Sequence, residues 1–184
     1  MSSVVISGDT SGAITLSAPS VAGTNTATLP AATGTVMVSG NMPAFSAYIG
    51  TTQTVTTNVF TKLALNTETF DTANAFDSTT NYRFTPQVAG YYQFNGEIYG
   101  VATVSMSALY AAIYKNGVLY QYGGLQNITV GSSGQSQTMN TLVYLNGTTD
   151  YVELYGLING TGTCTFTVSA ATLNWFNGVL VRSA

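Results

Sequence analysis

The chain has no histidine, a single cysteine and very little charge among its 184 residues. The absence of histidine removes the usual general base and the usual transition-metal ligand, which argues against triad hydrolases and metal-dependent enzymes. Cys164 cannot form a disulfide within the chain, and its alternation with apolar residues along 163–168 predicts a buried thiol. Only 6% of residues are charged and only four are basic, so we expect no nucleic-acid partner.

Long apolar runs and helical patterns are also missing. No segment approaches the roughly 18 uncharged apolar residues of a membrane helix, so we expect no membrane insertion. Residues 1–9 have no basic start, so no signal peptide is expected and the protein is predicted to stay in the cytoplasm until it is assembled or released. No segment combines the helical period with a capping signal, which predicts an all-β chain.

Apolar and aromatic residues are plentiful, at 45% and 11% of the chain. The clearest pattern is found in residues 82–94, which read as a strand, a Pro/Gly turn and a second strand. Tyr82 and Phe84 are predicted to share one face of the first strand, and Tyr92 and Phe94 share one face of the second. This alternation predicts a sheet that is buried on one side, and it is equally typical of a hairpin-like connection in a β-sandwich.

The composition divides the chain near residue 42. Residues 1–42 contain no aromatic residue and only one charge, Asp9, which predicts an N-terminal attachment arm before a head at residues 43–184. Strands are predicted in the arm at Ala13–Leu16, Thr24–Leu29 and Thr35–Val38, and they would need a partner to pair with. Strands are predicted in the head at Ala44–Ile49, Val59–Leu65, Phe70–Phe76, Tyr82–Thr85, Gly90–Val101, Leu109–Lys115, Val118–Gly123, Gln137–Leu145, Tyr151–Ile158, Thr163–Val168 and Leu173–Val181.

Two Asn-Gly pairs predict turns. Asn116-Gly117 is the strongest short signal for a two-residue hairpin, because both positions of that turn need positive φ. Asn146-Gly147 is a second hairpin candidate with a longer loop. Strands spaced about every 8 to 12 residues and joined by such turns predict an antiparallel jelly roll or sandwich.

A series of short motifs runs in order across the head. They are Ala44-Phe45-Ser46-Ala47, Phe76-Asp77, Phe84-Thr85-Pro86, Gly90-Tyr91-Tyr92-Gln93-Phe94, Tyr114-Lys115-Asn116-Gly117, Val143-Tyr144-Leu145-Asn146 and Phe176-Asn177-Gly178-Val179-Leu180. Through them residues 44–181 resemble the C1q-like head, a jelly roll of the tumour-necrosis-factor type. The resemblance implies a ten-stranded sandwich that forms a homotrimer through an aromatic and aliphatic face. The chain lacks the collagen-like arm and the cysteines of animal members, which argues against complement-type or hormone-type roles.

The arm carries a resemblance of its own. Residues 10–35, with Thr-Leu-Pro-Ala at 28–31 and Thr-Gly-Thr at 33–35, are similar to a segment common in structural proteins of tailed bacteriophages. The resemblance implies a virion protein whose arm binds another virion protein and whose head projects as a tail-fibre or receptor-binding knob. A capsid cement or decoration protein is the alternative.

Two loops are predicted to contact a host cell-surface glycan or protein. They lie near Gly123–Gly134 and Gly156–Gly162, where glycine and small polar residues favour exposed backbone. This prediction gives the head a binding role rather than a catalytic one.

Two carboxylate pairs are candidates for glycosidase chemistry, which needs two such groups flanking a sugar bond. The pairs are Asp71 with Asp77 and Asp150 with Glu153. Asp150 borders a turn and Glu153 lies on the polar face of its strand, so solvated surface positions are the preferred interpretation. A capsule-degrading enzyme therefore remains a third and weaker class of function.

Three neighbouring residues are candidate ligands for a calcium ion. Asp71, Asn74 and Asp77 carry the oxygen ligands that it prefers, but their spacing does not match an EF-hand loop. We expect no catalytic residue, no cofactor-binding residue and no bound metal.

Aromatic residues are the remaining candidates for a binding surface. Tyrosine combines a large rigid ring with a polar tip, which suits interfaces and sugar stacking, although the same side chains could fill the inner sheet or the trimer axis. Trp175 is predicted to belong to the core. The tyrosines in question are Tyr110, Tyr114, Tyr120, Tyr122, Tyr151 and Tyr155.

Overall fold

The structure, a computed structural model, describes residues 3–28, 31, 33–34, 36–38, 40, 42–130, 134–168 and 173–184. Over residues 124–130 only the backbone is described. The chain divides into two compact units, Met1–Gly34 and Thr35–Ala184. The described residues contain no α-helix, and so none with the length and hydropathy needed to cross a bilayer.

The first unit contains one β-hairpin, formed by β1 (Ser3–Ser7) and β2 (Ala13–Ser17). The prediction of a strand at Ala13–Leu16 is confirmed, whereas β1 was missed. Residues 24–28 and 36–38 lie outside any strand, so the predicted second and third arm strands are wrong over these positions. Their remaining residues, Leu29 and Thr35, lie outside the described part of the chain.

All the other described strands lie in the second unit. Several are only two or three residues long. They are β3 (Ala44–Tyr48), β4 (Gln53–Val55), β5 (Thr61–Lys62), β6 (Thr67–Asp71), β7 (Phe76–Asp77), β8 (Arg83–Phe84), β9 (Gly90–Ala102), β10 (Ser105–Lys115), β11 (Val118–Val130), β12 (Gly134–Leu145), β13 (Val152–Thr161), β14 (Cys164–Phe166) and β15 (Trp175–Ser183).

These strands form two sheets with antiparallel pairing throughout. The β10 sheet has the order β11-β10-β13-β8-β7, with β5 also paired to β13. The β9 sheet has the order β4-β14-β9-β15-β3-β6, with β12 also paired to β9. Thirteen strands are therefore described in place of the ten that the resemblance implied, and the prediction of an all-β antiparallel sandwich is confirmed.

An aromatic core is buried between the sheets. The alternation predicted for β9 is confirmed, because Tyr92, Phe94 and Ile98 are fully buried while their neighbours face outwards. Phe45 of β3 stacks on two rings from the other sheet, at 4.8 Å from the centroid of Phe76 and 4.5 Å from that of Phe84. Cys164 is buried in the same cluster, as predicted.

The Pro/Gly connection before β9 joins the two sheets and is not a hairpin. β8 pairs with β7 and β13, whereas β9 belongs to the other sheet. Tyr82 precedes β8 with a positive φ of 50°, so it does not continue the strand face of the buried Phe84 as predicted. The Tyr92 hydroxyl donates to the carbonyl of Val88 at 2.7 Å and holds the connection in place. Burial raises the pKa of Tyr92 to about 12.

The Asn116-Gly117 hairpin is confirmed. The two residues have φ angles of 53° and 75°, and Lys115 pairs with Val118 on either side of them. These angles fit the two-residue turn with positive φ at both centres, which matches the twist of the paired strands.

The second hairpin prediction is wrong. The loop with Asn146 and Gly147 joins β12, which pairs with β9, to β13, which pairs with β10. It therefore crosses between the sheets. The Asn146 side-chain oxygen accepts hydrogen bonds from the backbone N–H groups of Thr148, Thr149 and Asp150, and it stabilises the loop without any strand pairing.

One predicted strand is broken in two. The stretch Phe70–Phe76 was predicted as continuous, but β6 ends at Asp71 and β7 begins at Phe76 in the other sheet. The Asp71 carboxylate accepts backbone hydrogen bonds from Ala73 and Phe76, and Asn74 has a φ of 51°. These local bonds form a turn, which competes with strand pairing. The predicted strand Val59–Leu65 shortens to β5, and β4 was missed.

Candidate interaction surfaces

Four of the exposed apolar side chains of the β9 sheet lie on β9, β12 and β15, and we call them the apolar face: Tyr91, Leu142, Tyr144 and Val179. Strand register explains their proximity. Tyr91 of β9 lies opposite Tyr144 of β12, and Gln93 lies opposite both Leu142 and Val179. The rings of Tyr91 and Tyr144 are 5.4 Å apart. The apolar face is therefore one contiguous patch across three strands.

Most of the rest of the outward side of the β9 sheet is polar, although Phe70 of β6 is also exposed there. The Asn95 amide donates to the side-chain oxygen of Asn177 at 3.2 Å. Trp175 is only partly buried, and its indole N–H donates to Glu97 at 3.1 Å. The prediction that Trp175 belongs to the core is therefore wrong: the period of β15 buries Phe176 and turns Trp175 outwards.

A second aromatic patch lies on the outward side of the β10 sheet, and we call it the tyrosine cluster. Phe60, which precedes β5, has its ring centroid 6.2 Å from Tyr110, 6.2 Å from Tyr114 and 5.6 Å from Tyr122. Tyr155 of β13 stacks on Tyr114 at 3.9 Å. These five rings are absent from the core between the sheets, so the prediction that the tyrosines fill the inner sheet is wrong for them. The alternative that they line a trimer axis stays a prediction.

A bulge in β11 separates two of the predicted tyrosines. Tyr114 pairs with Leu119 and Ile113 pairs with Gln121, so Tyr120 has no opposite residue in β10. An extra residue changes the face on which the following side chains lie. The Tyr120 hydroxyl donates at 3.5 Å to the Leu142 carbonyl of β12, whereas Tyr122 belongs to the tyrosine cluster.

The charged groups beside the tyrosine cluster are paired. Glu153 is 4% exposed and accepts a hydrogen bond from the Lys62 ammonium at 2.9 Å, so the expectation of a solvated carboxylate is wrong. Burial and the nearby Glu153 charge raise the pKa of Tyr155 to about 12, and burial also raises the pKa of Tyr114. The Arg83 guanidinium lies 4.2 Å above the ring of Tyr151.

Asp150 links the hairpin between β10 and β11 to the loop between β12 and β13. Its carboxylate accepts hydrogen bonds from the Asn116 side chain at 2.8 Å and the Asn146 backbone at 3.1 Å, and it forms an ion pair with Lys115 at 2.9 Å. The Asn116 amide is the main cause of the lowered pKa of Asp150. Asp150 and Glu153 each have their own cation and their own structural partners, so they do not form an acid–base pair.

The calcium hypothesis finds no support in the geometry. Asn74 and Asp77 line an open depression of about 400 Å³, but Asp71 does not. The described residues contain no group of three or more His, Cys, Asp or Glu side chains arranged to hold a metal ion. The carboxylate of Asp77 instead accepts hydrogen bonds from the backbone of Thr80, the side chain of Asn81 and the backbone of Thr79, and these bonds lower its pKa.

This lowered pKa predicts an acid-sensitive contribution to stability. A folded-state pKa below the unfolded value of about 3.9 stabilises the fold above that pH, and the contribution is lost as the pH falls towards the folded value. We expect Asp77→Asn to lower the free energy of unfolding at pH 7 and to have a smaller effect at pH 3. Urea titrations at both pH values and one protein concentration would measure this. Glu68→Gln, an exposed carboxylate of β6, is the control, and an equal loss at both pH values would contradict the prediction.

The two predicted contact loops are mostly paired strand. β11 extends to Val130, β12 begins at Gly134 and β13 extends to Thr161, while residues 131–133 lie outside the described part of the chain. Glycine has a packing role here. A Cβ at Gly156 would lie 2.5 Å from the ring of Phe166, so this glycine allows close contact between the sheets.

Comparison with known proteins supports the architecture. No family model matches the chain, and no curated protein matches its sequence. Among solved structures, the globular domain of zebrafish complement 1qA protein is similar with a TM-score of 0.52 and 18% identity, over 77% of this chain and 99% of that chain. Eiger TNF from S. frugiperda has a TM-score of 0.51 and 9% identity, over 78% and 93%. Murine APRIL at pH 8.5 has a TM-score of 0.54 and 7% identity, over 76% and 99%. The chain therefore has the C1q/TNF jelly-roll fold.

Proposed function

We propose that the chain is a non-enzymatic structural protein of a bacteriophage particle. It forms a homotrimer, residues 1–42 attach it to another virion protein, and the head projects outwards as a receptor-binding knob of a tail fibre. The protein is assembled in the host cytoplasm and then resides in the virion. The observation that carries the homotrimer is the apolar face, and the virion role rests on the sequence resemblance of residues 10–35.

The apolar face supports self-association. Its side chains occupy neighbouring positions on three strands, and half of the Leu142 surface is exposed. Contiguous exposed apolar patches of this kind mark interaction sites, whereas single exposed apolar residues are ordinary. A cyclic trimer would cover this face on all three copies, and closed symmetry is the usual arrangement of homo-oligomers.

The first unit supports attachment to another protein. All residues of the β1–β2 hairpin are exposed, and its cross-strand pairs include Val4 with Leu16 and Ile6 with Ile14. These four apolar side chains share one face of the hairpin. A two-stranded hairpin is marginally stable alone in water, so a partner surface on the virion would stabilise it.

The candidate carboxylates already take part in structural hydrogen bonds and ion pairs, which favours a binding role rather than a catalytic one. Asp71, Asp77, Asp150 and Glu153 all accept structural hydrogen bonds or ion pairs. Three identical heads could instead bind a repeated host epitope with an avidity that exceeds the single-site affinity by about 10² to 10⁴.

The test compares the full chain with a variant that lacks residues 1–34. The deletion stops at residue 34 because Met37 packs against the head core. We expect both proteins to sediment as trimers and only the full chain to join particles, where an antibody against the head would label tail tips. A monomeric full chain contradicts the trimer, and incorporation of the truncated chain contradicts attachment by the arm. A label spread over the shell would instead identify a capsid decoration protein.

A further inference from the structure

We propose that the tyrosine cluster binds an uncharged carbohydrate, with the C–H side of a sugar ring stacked on the exposed ring of Tyr122 and its hydroxyls bonded to the phenols of the cluster. The inference rests on the proposed receptor-binding role and names both the site and the ligand class. It concerns the β10 sheet, on the outer side of the sandwich that is not used by the apolar face.

The cluster is built as a rigid platform. Tyr110 and Tyr114 of β10 flank Ala112, which is fully buried although its position in the strand faces outwards. The alanine leaves room for the Phe60 ring, which contacts three of the tyrosines. The aromatic contacts fix the ring orientations before any ligand arrives, and such preorganisation reduces the entropy lost on binding.

The platform also carries phenol hydroxyl groups. Four of its five rings are tyrosines, and Tyr122 is 51% exposed. A phenol with its ordinary pKa near 10 is already protonated at neutral pH, and the pKa values of Tyr114 and Tyr155 are higher still, so both hydroxyls are able to donate hydrogen bonds. Aromatic faces with polar tips match a pyranose, which has an apolar C–H face and a rim of hydroxyls.

The charges nearby favour an uncharged ligand. Lys62 and Glu153 neutralise each other at 2.9 Å, and Arg83 is held over Tyr151 outside the five rings. Among the described residues, no lysine or arginine lies over any of the five rings, where it could receive a sialic acid, sulfate or phosphate group. A charged ligand would lose its hydration without gaining a counter-charge, which is unfavourable.

The experiment measures binding of the full chain to immobilised polysaccharides by biolayer interferometry. Dextran, mannan, galactan and chitin oligosaccharides are the neutral probes, and polysialic acid and heparin are the charged ones. We expect binding to at least one neutral probe and to neither charged probe. Tyr122→Ala should weaken the neutral binding by about tenfold or more, whereas Tyr122→Phe, which keeps the ring, should retain most of it.

Tyr120→Ala is the matched control. Tyr120 lies on the same strand and is 48% exposed, but the β11 bulge places it outside the cluster. The affinity of the Tyr120→Ala variant for the neutral probe should stay within about twofold of the wild-type affinity, because this variant keeps all five rings of the platform. Thermal unfolding of each variant would show that the fold is intact.

Three results would overturn the proposal: no neutral probe binds, charged probes bind at least as well, or the two alanine variants lose binding equally. Sedimentation of the same samples separates this inference from the proposed function. A trimer that binds no neutral sugar overturns the carbohydrate site alone, whereas a monomer overturns the proposed assembly.

Discussion

Replacing Phe45 with alanine should lower the free energy of unfolding of the head by about 3–5 kcal/mol. Phe45 is almost completely buried and stacks on Phe76 and Phe84 from the opposite sheet. It also meets Phe176 edge-on, with the ring centroids 5.2 Å apart. Truncation would remove the apolar burial and leave a cavity between rings that cannot close around it without shifting both sheets. Urea denaturation at fixed protein concentration would measure the loss.

Phe70→Ala is the matched control for this prediction. Phe70 lies on β6, the strand paired with β3, but it is 48% exposed and belongs to no core cluster. We expect its replacement to cost less than about 1 kcal/mol. Similar losses for the two variants would show that the ring stack at Phe45 is not the centre of the core.

Leu142→Glu should convert the proposed trimer into monomers. Leu142 lies within the apolar face, and a carboxylate there would be desolvated at each subunit contact and repeated three times around the axis. Like charges brought together at an interface cost several kcal/mol, so the trimer should weaken by more than about a hundredfold. Sedimentation equilibrium over a range of concentrations would detect the change, and circular dichroism would show that the monomer stays folded.

Val104→Glu is the control for the interface prediction. Val104 is 61% exposed and lies in the turn between β9 and β10, away from the apolar face. The Val104→Glu substitution adds the same charge to each subunit and should leave the trimer unchanged. A trimer that survives Leu142→Glu would contradict the assignment of this face to self-association.

The long strands could be predicted because local pattern and tertiary burial agree in them. β9 alternates over its whole length, and Asn116-Gly117 requires a particular turn whatever surrounds it. The connections that cross from one sheet to the other could not be predicted in the same way. The Pro/Gly connection before β9 and the Asn146 loop both resemble hairpin connections locally, and only pairing with distant strands shows that they cross the sandwich.

The candidate site was predicted in part. The tyrosines were recognised as a group, but the tyrosine cluster also needs Phe60, which lies far from them along the chain. Tyr120 was grouped with Tyr122 because both follow the same hairpin turn, and the bulge in β11 separates them. Glu153 was interpreted as solvated because its partner Lys62 is 91 residues away. Non-local pairs of this kind leave no signal in a strand's own pattern.

β15 is the last strand of the head along the chain, yet it lies between β3 and β9 in the middle of its sheet. Phe176 and Leu180 carry its contribution to the core. Until these residues have left the ribosome, β3 and β9 have no strand to join them and their inner edges stay unpaired. The core of the head is therefore completed only after β15 has been synthesised, and a chain that lacks β15 exposes strand edges that favour aggregation.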